Sequence, residues 1–204
     1  MLDKAKVIFL TAIAVMFSCV SCSNDEPTAN YIIIDATGIE VENNDIATVK
    51  AFVYKNVIEE VESEPLEIAS SVFENGKFSL FLPGVIPDKY LRSTSEHLEG
   101  ITKSDINAKT GTISIEAFNS AGEYVGNFTA GLYSDGKKYY AEYSISDRNY
   151  TLKGDHKYGS IDCNFKKGIN ISYINICDNK FNVTTQKPSS ENIKWCFGIF
   201  WLEY

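Results

Sequence analysis

The sequence predicts an all-β fold behind a cleaved leader: an antiparallel β-sandwich or meander, in one lobe or two. Three observations predict it. The 204-residue chain opens with Lys4 and Lys6 and then runs uncharged and apolar over 7–17. From residue 31 onward, apolar side chains recur at every second position, the period of a strand with one buried face. Turn residues such as Asn75-Gly76, Asn119–Gly122 and Ser134-Asp135-Gly136 punctuate that alternation at short intervals.

The leader comes first. As a helix, the apolar run would be about 16 Å long, against about 30 Å of bilayer hydrocarbon. It is too short to span and matches the apolar region of a signal peptide, with small Ser18 and Ser21 after it. Two cysteines follow, Cys19 and Cys22.

The stretch Cys19-Val20-Ser21-Cys22 resembles the lipobox of bacterial lipoproteins. The resemblance implies a diacylglycerol thioether on Cys22, cleavage after residue 21 and acylation of the new N-terminus. Cys19 is the alternative attachment point, but bulky Phe17 stands two positions before it. Ser23-Asn24-Asp25-Glu26 resembles the acidic export signal of Bacteroidetes-type surface lipoproteins, with Asp25 and Glu26 as its charged pair. Two or more acyl chains anchor a protein stably, so the implied partner is the membrane, through the N-terminal lipid. The implied location is the outer membrane, lipid-anchored at the cell surface. The expected organisation is a signal peptide over 1–21, an acidic tether over 22–30 and a β domain over 31–204, with a lobe boundary near 84–110.

Within the domain, 31–35 reads as a strand buried on both faces, and 47–54 and 66–72 as further strands. Asn75-Gly76 predicts a type I′ hairpin turn into 78–82, where Phe78, Leu80 and Leu82 share a face and Pro83 ends the strand. The stretch 49–83 resembles transthyretin-like and carboxypeptidase-regulatory-like β-sandwich modules, which implies a sandwich and no catalysis. Residues 84–110 are less regular, with a helical turn around 89–92. Strands then resume. Ile113, Ile115 and Ala117 face inward, opposite Ser114 and Glu116. Tyr124, Phe128, Ala130 and Leu132 form the next inward face, with Asn127 and Thr129 outward, and Tyr139, Ala141, Tyr143 and Ile145 the one after. Further strands are expected at 149–152, 160–165, 170–177, 181–185 and 193–201. The C-terminal arrangement is similar to uncharacterised Bacteroidetes lipoproteins, which implies an envelope location and a β fold without an activity.

Composition narrows the partners. With 19 basic and 27 acidic side chains the net charge is −8. An acidic chain without a basic stripe argues against nucleic acid as a partner and against a polybasic contact with lipid headgroups. Past the tether stand Cys163, Cys177 and Cys196, an odd number without C-x-x-C spacing, so neither a metal site nor a cofactor is expected. A hairpin turning at Lys167-Gly168 would set Cys163 opposite Ser172, too far from Cys177 for a bridge. All three are expected as free thiols, Cys163 pointing inward and Cys196 opposite Trp195.

Candidate ligand contacts are aromatic. Tyr140 has outward parity, and Trp201 and Tyr204 lie at the chain end, whereas Trp195 and Phe197 are expected in the core. The oxygen-rich stretch 40–46 reads as a solvated turn. His97 and His156 lie in polar surroundings, and no nucleophile motif accompanies them; no catalytic residue is assigned. The expected function is a non-catalytic binding or structural β module with a protein or glycan partner. An accessory glycan binder of a nutrient-uptake system is the alternative, and a hydrolase the third.

Overall fold

The computed structural model describes residues 31–41, 45–54, 64–93, 99–188 and 192–198. The described chain is nearly all strand. Its elements are β1 (Ile32–Ala36), β2 (Thr48–Tyr54), β3 (Leu66–Val72), β4 (Phe78–Leu82), a 3₁₀ turn (Asp88–Tyr90), β5 (Arg92–Ser93), β6 (Ile101–Lys103), β7 (Lys109–Phe118), β8 (Tyr124–Ser134), β9 (Lys137–Ser146), β10 (Tyr150–His156), β11 (Gly159–Phe165), β12 (Gly168–Cys177), β13 (Lys180–Thr184) and β14 (Lys194–Phe197). No helix among the described residues is long and apolar enough to cross a membrane.

The strands form two sheets. β1 and β4 pair alone; the others join one mixed sheet in the order β3-β2-β7-β8-β9-β12-β13-β11-β10-β6, with β14 on β8 and β5 on β7. The small sheet lies over one face of the large one. Ile34, Phe78, Leu80 and Leu82 share a core with Val49, Val53, Ile115, Phe128, Leu132 and Ile145. Leu80, Leu82, Leu132 and Ile145 are almost fully buried, each contributing about 1.5–3 kcal/mol through loss of apolar surface to water. A second cluster of Ala108, Tyr150, Cys163 and Phe165 lies among β10, β11 and the chain before β7, with the Tyr150 and Phe165 rings stacked 4.7 Å apart.

The alternation placed most strands. Asn75 and Gly76 both have positive φ, 52° and 68°, as the I′ turn requires, and Glu74 and Lys77 close it with paired backbone hydrogen bonds. The irregular stretch contains the 3₁₀ turn, β5 and β6. Lys109 ties it to the β7–β9 region by an ion pair to Asp88, while Arg148 reaches Asp147 at 3.0 Å and Asp105 at 3.4 Å.

Four expectations need correction. β1 is covered on one face only: Ile34 and Ala36 are buried but Ile33 is 54% exposed, because nothing among the described residues covers the outer side of the small sheet. Tyr124 is exposed as well; the register shifts between Ala117 and Phe118, so Phe118 meets Tyr124 while Ala117 meets Gly126, and a bulge of this kind reverses the parity before it. Lys167-Gly168 does not close a hairpin. β11 pairs with β10 and, in parallel, with β13, whereas β12 pairs with β9 and β13, so Cys163 faces Leu152 rather than Ser172. Trp195 and Phe197 are half-buried against the core rather than enclosed in it, because β14 is a short strand on β8 and not a central one.

All three described cysteines are free: Cys163 buried, Cys196 intermediate and Cys177 exposed. Burial, and secondarily the nearby Asp162 carboxylate, push the Cys163 thiol up to about 12, so almost none is thiolate at neutral pH. We therefore expect iodoacetamide at pH 8 to modify Cys177 first in the native protein and Cys163 last. In denaturant, mass spectrometry should find all three modified; fast native labelling of Cys163, or fewer than three sites on unfolding, would contradict this assignment.

Candidate functional site

β7, β8 and β9 are antiparallel to one another in all three pairings. Ile115–Phe118 of β7 pairs with 124–128 of β8. Ala130–Ser134 of β8 pairs with 137–141 of β9. Tyr143–Ser146 of β9 returns to pair with 110–113 of β7. Each strand therefore changes partner once, and the three antiparallel pairs run outward from a common point. The changes fall at Ser114, Thr129 and Glu142, none of which has a partner within this trio.

Three further strands clasp the corners from outside. Phe52 of β2 pairs with Ser114, Ser172 of β12 with Glu142, and Cys196 of β14 with Thr129. Gly126 lets β14 approach: a Cβ there would stand 2.6 Å from Phe197 Cζ. The Thr129 hydroxyl donates to the Gly198 carbonyl at 2.9 Å. Its single proton is then committed, so the Cys196 thiol, 3.1 Å away, donates to it.

The junction leaves a cavity of about 420 Å³. Its floor is apolar, lined by Ile113, Ile115, Phe128, Ala130, Tyr143 and Trp195. Phe78 of the small sheet backs that floor, 5.0 Å from the Phe128 ring and 5.5 Å from Trp195, and Trp195 stacks on Tyr143 at 5.7 Å. The rim is mixed: Ser114, Thr129 and Glu142 stand at the corners with Thr112, Asn127 and Tyr140 beside them, and Ile174 and Ile176 of β12 add an apolar edge on the Tyr140 side.

Glu142 keeps access to solvent, yet the junction crowds its carboxyl and holds it above the usual carboxylate range. Burial raises the Tyr140 phenol, with the neighbouring Cys196 a smaller influence in the same direction. Next to the cavity, Phe52, Phe118 and Tyr124 form an aromatic row with centroid separations of 6.0 and 6.1 Å. Tyr54 joins it, donating to Glu116 at 2.6 Å. These rings are tilted by 54–72° rather than coplanar.

Of the residues singled out from sequence, Tyr140 lines the cavity. Cys22, Asp25, Glu26, Trp201 and Tyr204 lie outside the described residues, as does His97. His156 stands at the end of β10, 5.1 Å from the Tyr158 ring and several strands from the cavity. In the oxygen-rich stretch, Asp45 accepts from Ser120 at 3.0 Å, and no acidic, His or Cys group fit for a metal occurs among the described residues. Glu142 escaped the sequence reading; its only sign there is a carboxylate on the outward side of a strand whose inward side carries Tyr139, Ala141, Tyr143 and Ile145.

Comparison with known proteins adds no relative: no family model, curated protein or solved structure matches the chain.

Glu142 gives a stability test. Its folded pKa lies above the unfolded one, so the native state holds the proton more tightly and stability falls as pH rises through that window. Glu142→Gln should therefore raise the urea midpoint modestly at pH 7, and the gain should vanish below the ordinary glutamate range. Tyr140 and Tyr143 are both held above the usual phenol range, so neither titrates there. An equal gain at both pH values would assign the effect to shape instead of charge.

Proposed function

We propose that the chain is a lipid-anchored protein of the outer membrane, exposed at the cell surface, whose β domain binds a small molecule without converting it. The lipobox-like Cys19–Cys22 stretch and the Asp25-Glu26 pair support the anchor and its outward direction. The junction cavity carries the binding part. It is framed by strands rather than loops, and its volume of about 420 Å³ lies in the range of small-ligand pockets, roughly 300–1,000 Å³. Glu142 is the one carboxylate among its described lining residues, whereas glycoside hydrolysis uses a pair. That favours binding over catalysis.

A second reading is an accessory glycan binder of an uptake system. The exposed rings of Tyr54 and Tyr124 favour it, since they lie on the same outer face as the cavity rim, beside Glu116. A glycan array on the intact protein separates the readings: binding lost in Tyr124→Ala but kept in Glu142→Gln would favour the glycan face.

The anchor has its own test. Labelled palmitate should enter the wild-type protein and be lost in Cys22→Ala. Label kept there but lost in Cys19→Ala would move the anchor to Cys19, and label unaffected by either change would overturn the lipoprotein reading. Replacing Asp25 and Glu26 by Ala should keep the lipid and reduce cleavage by external protease.

A further inference from the structure

The small-molecule reading leaves the ligand's chemistry open, and the junction narrows it. We propose that the cavity takes a small organic ammonium compound, its charged head on Glu142 and its carbon skeleton on the apolar floor. This inference rests on the binding reading above.

Charge is the first argument. Among the described lining residues there is no Lys, Arg or His, and Glu142 is the single carboxylate. An anionic ligand would meet a like charge with nothing to offset it. The Glu142 side chain makes no hydrogen bond or ion pair among the described residues and keeps access to solvent on the sheet surface. An ammonium head would meet it as a counter-charge through charge-assisted hydrogen bonds.

The remaining rim groups fit the same head. An ammonium carries up to three N–H donors. Ser114 Oγ and Asn127 Oδ1 are acceptors on the same rim, and neither side chain has a partner among the described residues. Thr129 is already committed to Gly198 and Cys196, so it holds the corner and leaves the ligand to the others. The rings of Tyr140 and Trp195 border the cavity, and aromatic faces attract cations.

The floor decides between an amine and a sugar. A sugar presents hydroxyls around its whole ring and needs polar partners on several sides. The floor side chains are Ile113, Ile115, Phe128, Ala130, Tyr143 and Trp195, which suit a hydrocarbon body. At ~30 Å³ per water-sized group, the cavity holds roughly a dozen non-hydrogen atoms, the size of a one-ring amine.

The test uses three probes of one shape on the full-length protein: benzylamine, benzyl alcohol and benzoate, titrated by calorimetry at pH 7. Ser114→Phe, which fills the rim, serves as the blank for heat arising elsewhere. Benzylamine should bind at least tenfold more tightly than benzyl alcohol, with benzoate weakest. Glu142→Gln should bring benzylamine and benzyl alcohol within about threefold of each other. Equal binding of the amine and the alcohol to wild type would overturn the inference while keeping the cavity as a binding site, as would a tenfold preference that survives in Glu142→Gln. Heat unchanged in Ser114→Phe, or no binding of any probe, would overturn the cavity reading with it. Should Glu142→Gln fail to fold, the wild-type ranking of the three probes decides alone.

Discussion

Three strands cannot each run antiparallel to the other two in one flat sheet. If β7 opposes β8 and β8 opposes β9, then β7 and β9 must run the same way. Here they oppose each other, so all three must bend where they change partner. The rest of the large sheet follows from that constraint. Each bend exposes an outer edge, and β2, β12 and β14 each pair along one. The bends also open the middle, since three extended backbones turning away from one point leave a space that no hydrogen-bond ladder fills.

What fills that space from below gives the site its character. Phe78 comes from the small sheet and meets Phe128 and Trp195 under the junction. The core side is therefore closed with aromatic carbon, and only the outer side stays open. Corner residues share the outward parity, so Ser114, Thr129 and Glu142 gather around the opening although 28 positions of sequence separate the first from the last. The folding core and the candidate site are two faces of one arrangement, and Phe128 and Trp195 belong to both.

The sequence disclosed much of this and missed its centre. Period-two alternation located the strands and assigned Ser114, Asn127, Thr129 and Tyr140 to the outer face, because the pleat alone decides parity. It misjudged Tyr124, since a single bulge shifts parity and leaves no mark in composition. It read a hairpin into Lys167-Gly168, because a tight turn looks the same whether the chain folds back on its neighbour or leaves for another strand. The junction itself was invisible: Ser114, Thr129 and Glu142 sit in unbroken alternations, and a bend at a strand residue needs neither Gly nor Pro. Pairing between distant strands is a tertiary choice, made by which faces can be buried together.

The small sheet has a mechanical meaning as well. Among the described residues, β1 is hydrogen-bonded to β4 alone, through five antiparallel positions from Ile32↔Leu82 to Ala36↔Phe78, whereas each junction strand is held on both edges. Tension arriving along the chain at residue 31 would reach this attachment first. β1 would then act as a fuse, peeling from β4 under load while the strands around the cavity keep their pairing and its shape.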